Sequence, residues 1–282
     1  MSLLIPATLF AIMFALGLGL PGDRLGLLRQ RPGMLLRVLL GSCLLVPLLA
    51  LVLLRLPPAA ALPEPARLGI ALMALCPSAP LILRKADQAN GDAGLAAQLQ
   101  VAAALAAILS VPLMAGLFTS AFSLEGWSVR PAEVAAQVGT SQILPLACGL
   151  LVRRRWPGWA GRWLGRCDRL ANLLVLALVL VVLATAGPAL LVFALANTGS
   201  LALMALLVLL SLLVGWWAAG SGRHERTTVP LVVSMRNPGL ALLLASSYAP
   251  QVAGLKLAIL LYVLITVVLE IPYVRWRAGL VG

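Results

Sequence analysis

Charge is scarce in this chain of 282 residues. Only 11% are Asp, Glu, Lys or Arg, and nine are acidic. A soluble domain carries about a quarter charged residues, so a water-facing surface of ordinary composition cannot be built here. Histidine occurs once, His224 in the run RHER. One loop histidine with no carboxylate–nucleophile partner gives no base for an enzyme mechanism, and the chain reads as no enzyme, with no catalytic residues. The four cysteines, Cys43, Cys76, Cys148 and Cys167, form no CxxC pair. They read as small buried hydrophobes, and neither a metal site nor a cofactor is expected.

Apolar residues are what the chain has in abundance: 62% of the total, with a mean hydropathy of +1.04. A bilayer can cover this much apolar surface where a soluble core cannot, so the fold class is all-α, polytopic and membrane-spanning. Runs near the 20 residues that cross the hydrocarbon lie at about 2–20, 34–54, 64–85, 92–119, 130–152, 168–192, 197–218, 227–248 and 252–274. That predicts nine transmembrane helices in one membrane domain spanning residues 1–282. The N-terminus, MSLLIPATLF, lacks a basic leader region and reads as the first span rather than a signal peptide.

The net charge of +12 does not imply nucleic acid, because the arginines cluster between apolar runs. With the N-terminus outside, sixteen of the 21 basic residues fall on the inner side and four on the outer, leaving Arg236 apart. The positive-inside rule then predicts nine spans, N-terminus out and C-terminus in the cytoplasm of a bacterial inner membrane. The run RRRWPGWAGRWLGRCDR at 153–169 reads as an interfacial amphipathic loop against anionic lipid.

Two spans are interrupted. The third contains Cys76-Pro77-Ser78-Ala79-Pro80 and the eighth Arg236-Asn237-Pro238-Gly239. Each precedes a long helix expected to end near a proline, Pro112 and Pro272 respectively, at spacings of 35 and 34 positions. The two units run in opposite directions through the expected topology, the mark of an inverted repeat: 2–119 with four helices and 130–274 with five. Breaks of this kind survive in lipid only where protein or a cavity receives the freed backbone groups.

With both breaks in view, the chain resembles the bile acid:sodium symporter family. CPSAP at 76–80 followed by Gly91-Asp92 is similar to that family's first break, and RNPGLAL at 236–242 to its second. Family members often have ten helices, so nine would correspond to the absence of the first. The resemblance implies a core of spans two, three, four, seven, eight and nine, with spans one, five and six as a moving panel. It also implies a small organic anion as substrate. The family's sodium ligands are largely replaced: Ile82, Leu83, Ala96, Gln100, Val232 and Arg236 stand at positions where the family places oxygen-bearing side chains. Coupling to sodium in the family's manner is therefore not expected.

The substrate site is expected at the crossing, from Pro77, Ser78, Ala79, Pro80, Ser234, Arg236, Asn237, Pro238 and Gly239. Arg236 is read as filling the electrostatic hole a sodium ion occupies in relatives, against the carbonyls ending the first half of span eight. Its guanidinium could also bind the substrate anion. Arg236, Gln100 and Glu270 are the ion-coupling candidates. Glu270 could carry a proton, or lie near the inner surface beside Arg275 or Arg277, and the second reading is preferred. Gln98 and Gln100, two positions apart on a helix, point in different directions, so one of them faces the crossing. The functional expectation is an alternating-access transporter, with a transport-inactive sensor or structural membrane domain of the same fold as the alternative.

Overall fold

The structure, a computed structural model, describes residues 4–20, 31–77, 79, 82–122 and 129–281. Helices occupy all nine stretches named above. They are α1 (Leu4–Gly19), α2 (Pro32–Arg55), α3 (Glu64–Leu75), α4 (Ile82–Gln88), α5 (Ala93–Phe122), α6 (Pro131–Arg155), α7 (Pro157–Ala196), α8 (Thr198–Ala218), α9 (Arg223–Ser234), α10 (Pro238–Tyr248) and α11 (Leu255–Val281). Among the described residues, six of these (α2, α5, α6, α7, α8 and α11) are long and apolar enough to cross a bilayer unaided. The third stretch is split into α3 and α4, the eighth into α9 and α10.

Two expectations are corrected. Pro112 and Pro272 do not end their helices: α5 continues to Phe122 and α11 to Val281. A single proline removes one backbone hydrogen bond, which a packed membrane helix absorbs as a local distortion. The arginine–tryptophan run is not a loop either. From Pro157 it is already α7, 40 residues long and so roughly 60 Å by helical rise. Trp159 stacks on Trp163, and Arg166 lies over the Trp163 ring.

Glycines set the close helix crossings, where a side chain would keep two backbones apart. A Cβ on Gly17 of α1 would sit 2.4 Å from the Leu146 carbonyl of α6, and one on Gly149 would sit 2.3 Å from the Phe14 carbonyl. A Cβ on Gly215 of α8 would meet the Pro230 Cα of α9 at 2.3 Å. α1 packs mainly on α6 and α7, while α3, α8 and α9 pack among α2, α5 and α11.

Two helices contain a π turn, Gly41–Leu45 in α2 and Gly139–Ile143 in α6. The first matters for the site. The Val46 N–H reaches back to the Gly41 carbonyl, and Pro47, next in line, has no N–H to give. The Ser42 carbonyl is thereby freed from its own helix.

Candidate functional site

The two breaks touch. Pro77 and Arg236 form an isolated antiparallel bridge, and the Asn237 N–H donates to the Cys76 carbonyl at 2.9 Å. Each interrupted chain thus supplies some of the backbone bonds the other has lost. Asn237 also caps α10, its Oδ1 accepting from the Leu240 N–H at 3.1 Å, with Pro238 in the first turn, where a missing N–H costs nothing. Gly91 and Asp92 have a comparable local logic. A Cβ on Gly91 would lie 2.7 Å from Thr228 Oγ1. Asp92 Oδ1 accepts from the Leu95 N–H at the start of α5, and its own N–H donates to Thr228 Oγ1.

Arg236 is 2% exposed. Its Nε donates to the Met73 carbonyl at 3.2 Å. Nη1 donates to Ser42 Oγ at 3.1 Å and to the Val233 carbonyl at 3.3 Å. Nη2 donates to the Ser42 carbonyl at 3.0 Å and to the Ala74 carbonyl. A guanidinium has five N–H donors, and all five are taken. The acceptors are carbonyls at the C-terminal ends of both half-helices, α3 and α9, and the hydroxyl and freed carbonyl of Ser42 at the π turn of α2. Only one of them, Val233, belongs to the helix end anticipated from sequence. Ser42 was missed, although a proline five residues after it was a legible signal. The other expectation for this residue fails in this conformation: Arg236 has no donor left for a substrate.

The remaining candidates separate. Pro77, Ala79, Ser234 and Asn237 are buried at or beside the crossing, and Gly239 is half-buried close to Leu9 of α1. Ser78 and Pro80 lie outside the described residues. Gln100 is fully buried but turned to α1, its Nε2 on Met13 Sδ at 3.5 Å. Gln98 donates to the Gly94 carbonyl of its own helix. Glu270 is fully buried. It accepts from Ser234 Oγ at 2.9 Å and has Lys85 Nζ at 3.9 Å. It does not pair with Arg277, which bonds Thr227 Oγ1 and the Arg223 carbonyl instead. Of the positions where the resemblance implies cation ligands, Ile82, Ala96 and Val232 are fully buried and offer no side-chain oxygen.

A cleft of about 660 Å³ separates α1 and α7 from α4 and α5. Leu16, Leu83, Asp87, Gln88, Asp168 and Asn172 are among its walls. Arg236 does not line it.

A family model for the sodium bile acid symporter family matches residues 6–170, more than half of the chain. The chain belongs to the sodium bile acid symporter family. It is a multi-pass membrane protein of a transporter family, and the match takes in the first break together with the Gly91-Asp92 turn. A search of curated proteins returns no match. For this symporter-family chain, the matched residues include the first of the two breaks. The second break, with Arg236, lies outside the matched residues.

Proposed function

We propose that this chain is a secondary transporter or facilitator that carries a small organic anion across the bacterial inner membrane by alternating access. In this reading it crosses nine times as an inverted repeat (2–119 and 130–274), with the N-terminus outside and the C-terminus in the cytoplasm. The observation that carries the proposal is the bridge between Pro77 and Arg236, which joins two broken helices inside the protein; a cleft bounded by α1, α4, α5 and α7 supports it. Half-helix N-termini at α4 and α10 present positive dipole ends. An anion would be drawn to these and not to Arg236, whose five donors are already taken.

Sodium is not the coupling ion in this proposal. A hard cation needs oxygen ligands, and Arg236 already binds the carbonyls of Met73, Ala74, Val233 and Ser42. A tethered guanidinium neutralises the helix C-termini permanently, where a sodium ion would do so reversibly.

The test is counterflow in proteoliposomes with labelled cholate and a panel of short mono- and dicarboxylates, with and without Na⁺. Exchange at the same rate in both buffers is expected. Strict sodium dependence would end the tethered-cation reading. Organic acids that raise the melting temperature yet never exchange would favour the sensor alternative.

A further inference from the structure

The ligation of Glu270 is not explained by packing alone. Its side chain is the only carboxylate buried in the middle of the described apolar helices, and it touches both interrupted spans. Ser234, the last residue of α9, donates to Oε1 at 2.9 Å. Lys85, on α4 immediately after the first break, approaches Oε2 at 3.9 Å, an ion pair beyond hydrogen-bond distance. Oε2 has no hydrogen-bond partner. The Tyr262 hydroxyl, one of the same helix's fully buried groups, also lacks one and lies within electrostatic reach of Glu270 and Arg236. A buried carboxylate with one saturated and one open oxygen is a place where a proton can bind and leave.

Among the described side chains, the charged and titratable groups on the surrounding elements leave Lys85 as its partner. Arg236 is saturated, as described above. On α9, Arg223 donates to the Leu280 carbonyl, Glu225 pairs with Arg31 and Arg226 donates to the Gly220 carbonyl. His224, in the first turn of α9, meets the Asn90 carbonyl. On α10, Tyr248 bonds Glu133. On α3, Arg67 lies over the Phe122 ring, and Arg67 and Glu64 line a separate pocket with it. α8 carries no charged residue. The α7 groups Arg162, Arg166, Asp168 and Arg169 sit in its first turns, where Asp168 lines the cleft. On α11 itself, Tyr273 donates to the Arg226 carbonyl, Arg277 is engaged with α9, and Lys256 and Arg275 lie towards the helix ends. On α4, Asp87 faces the cleft.

We propose that Glu270, held between Ser234 and Lys85, is a proton-binding site that couples movement of the two broken helices to the proton gradient. A proton taken up from solvent converts the carboxylate to the acid. Ser234 still donates to the carbonyl oxygen, while Lys85 loses its anion and with it the tie between α4 and α11. Loss of the proton restores the pair. The coupling half of this proposal rests on the transporter reading; the proton site does not.

Infrared difference spectroscopy of the full chain in lipid vesicles, titrated with acid, tests the site without any substrate. A protonated-carboxyl carbonyl band is expected that disappears in Glu270→Gln and persists, displaced, in Glu270→Asp. In Lys85→Met the same group should bind its proton about tenfold more tightly, because the neighbouring cation is gone. If no such band appears, or if it survives Glu270→Gln, the site is refuted. Where counterflow succeeds, Glu270→Gln should exchange solute but fail to accumulate it under a pH gradient; accumulation equal to wild type overturns the coupling. Where counterflow fails for every solute while the band titrates, it is the transporter reading that falls.

Discussion

α3 and α9 are the most enclosed helices of the molecule, and they are the two that break. Residues 68–75 of α3 and 227–234 of α9 are buried without interruption. α7 is the opposite case. It is 40 residues long, only Ala160, Ala171 and Leu190 are buried, and 6% of its apolar window is covered by protein. It runs unbroken even through Pro188. Lipid offers no hydrogen bond to an open backbone, so a helix facing lipid must satisfy itself. A helix wrapped by protein can stop, because neighbours supply the missing partners. Here the neighbours are the other break, the π turn of α2 and the side chain of Arg236.

The contrast is broken most severely by removing the arginine. Arg236→Met leaves the acceptors of Ala74, Val233 and Ser42 unpaired together, while the Met73 carbonyl keeps only the Cys76 N–H. Each orphaned buried polar group costs about 1–3 kcal/mol, so the total loss should exceed about 3 kcal/mol. Arg236→Lys keeps the charge but only three donors, and should fall between methionine and wild type. Thermal unfolding of the purified protein in detergent reads both. A methionine variant that melts with wild type would show that the breaks do not need the guanidinium.

A milder contrast uses one substitution at two places. Gly215→Ala in α8 places a Cβ 2.3 Å from the Pro230 Cα, a backbone contact that cannot rotate away, and should cost about 1–3 kcal/mol. Gly187→Ala in α7 meets nothing within 4 Å and should be neutral or gain up to about 1 kcal/mol from helix propensity. Equal effects on melting would mean that enclosure is not what distinguishes the two regions.

The sequence carried the larger features well, for a physical reason. Hydropathy marks every stretch that lipid or protein must cover, and a charged, proline-containing tetrad inside such a stretch can only be a break. What it concealed was partnership. Arg236 and Ser42 are 194 positions apart, Glu270 and Lys85 are 185, and no local pattern joins them. The position of Arg236 was legible, but the prediction gave it to the end of its own helix, whereas four of its five bonds run to α2 and α3. The prolines misled in the other direction. Pro112 and Pro272 look like stops because water-soluble helices usually stop there, whereas Pro47, inside an unremarkable apolar run, frees a carbonyl that holds the site.

The finest test of the comparison lies where enclosed and lipid-facing parts are tied together, at the end of the molecule away from the cleft. There Tyr248, closing α10, donates to Glu133 in the first turn of α6, and the Arg130 N–H donates to the tyrosine oxygen at 3.3 Å. Arg130 in turn pairs with Glu133. The groups are largely solvent-exposed, so water replaces whatever is lost, and Tyr248→Phe should leave the melting temperature unchanged. Its effect belongs to access. If α10 and α6 separate when the distal side opens, losing the tyrosine hydroxyl makes that separation easier. Cys76 at the first break is a native reporter, fully buried in the present conformation. In a Cys148→Ser, Cys167→Ser background, a membrane-impermeant maleimide applied from the Tyr248 side should label Cys76 faster in Tyr248→Phe, with peptide mapping to separate it from Cys43. Labelling that stays at the wild-type rate would make the tyrosine–glutamate contact a surface ornament and would place the closure of that side in the helix packing beneath it.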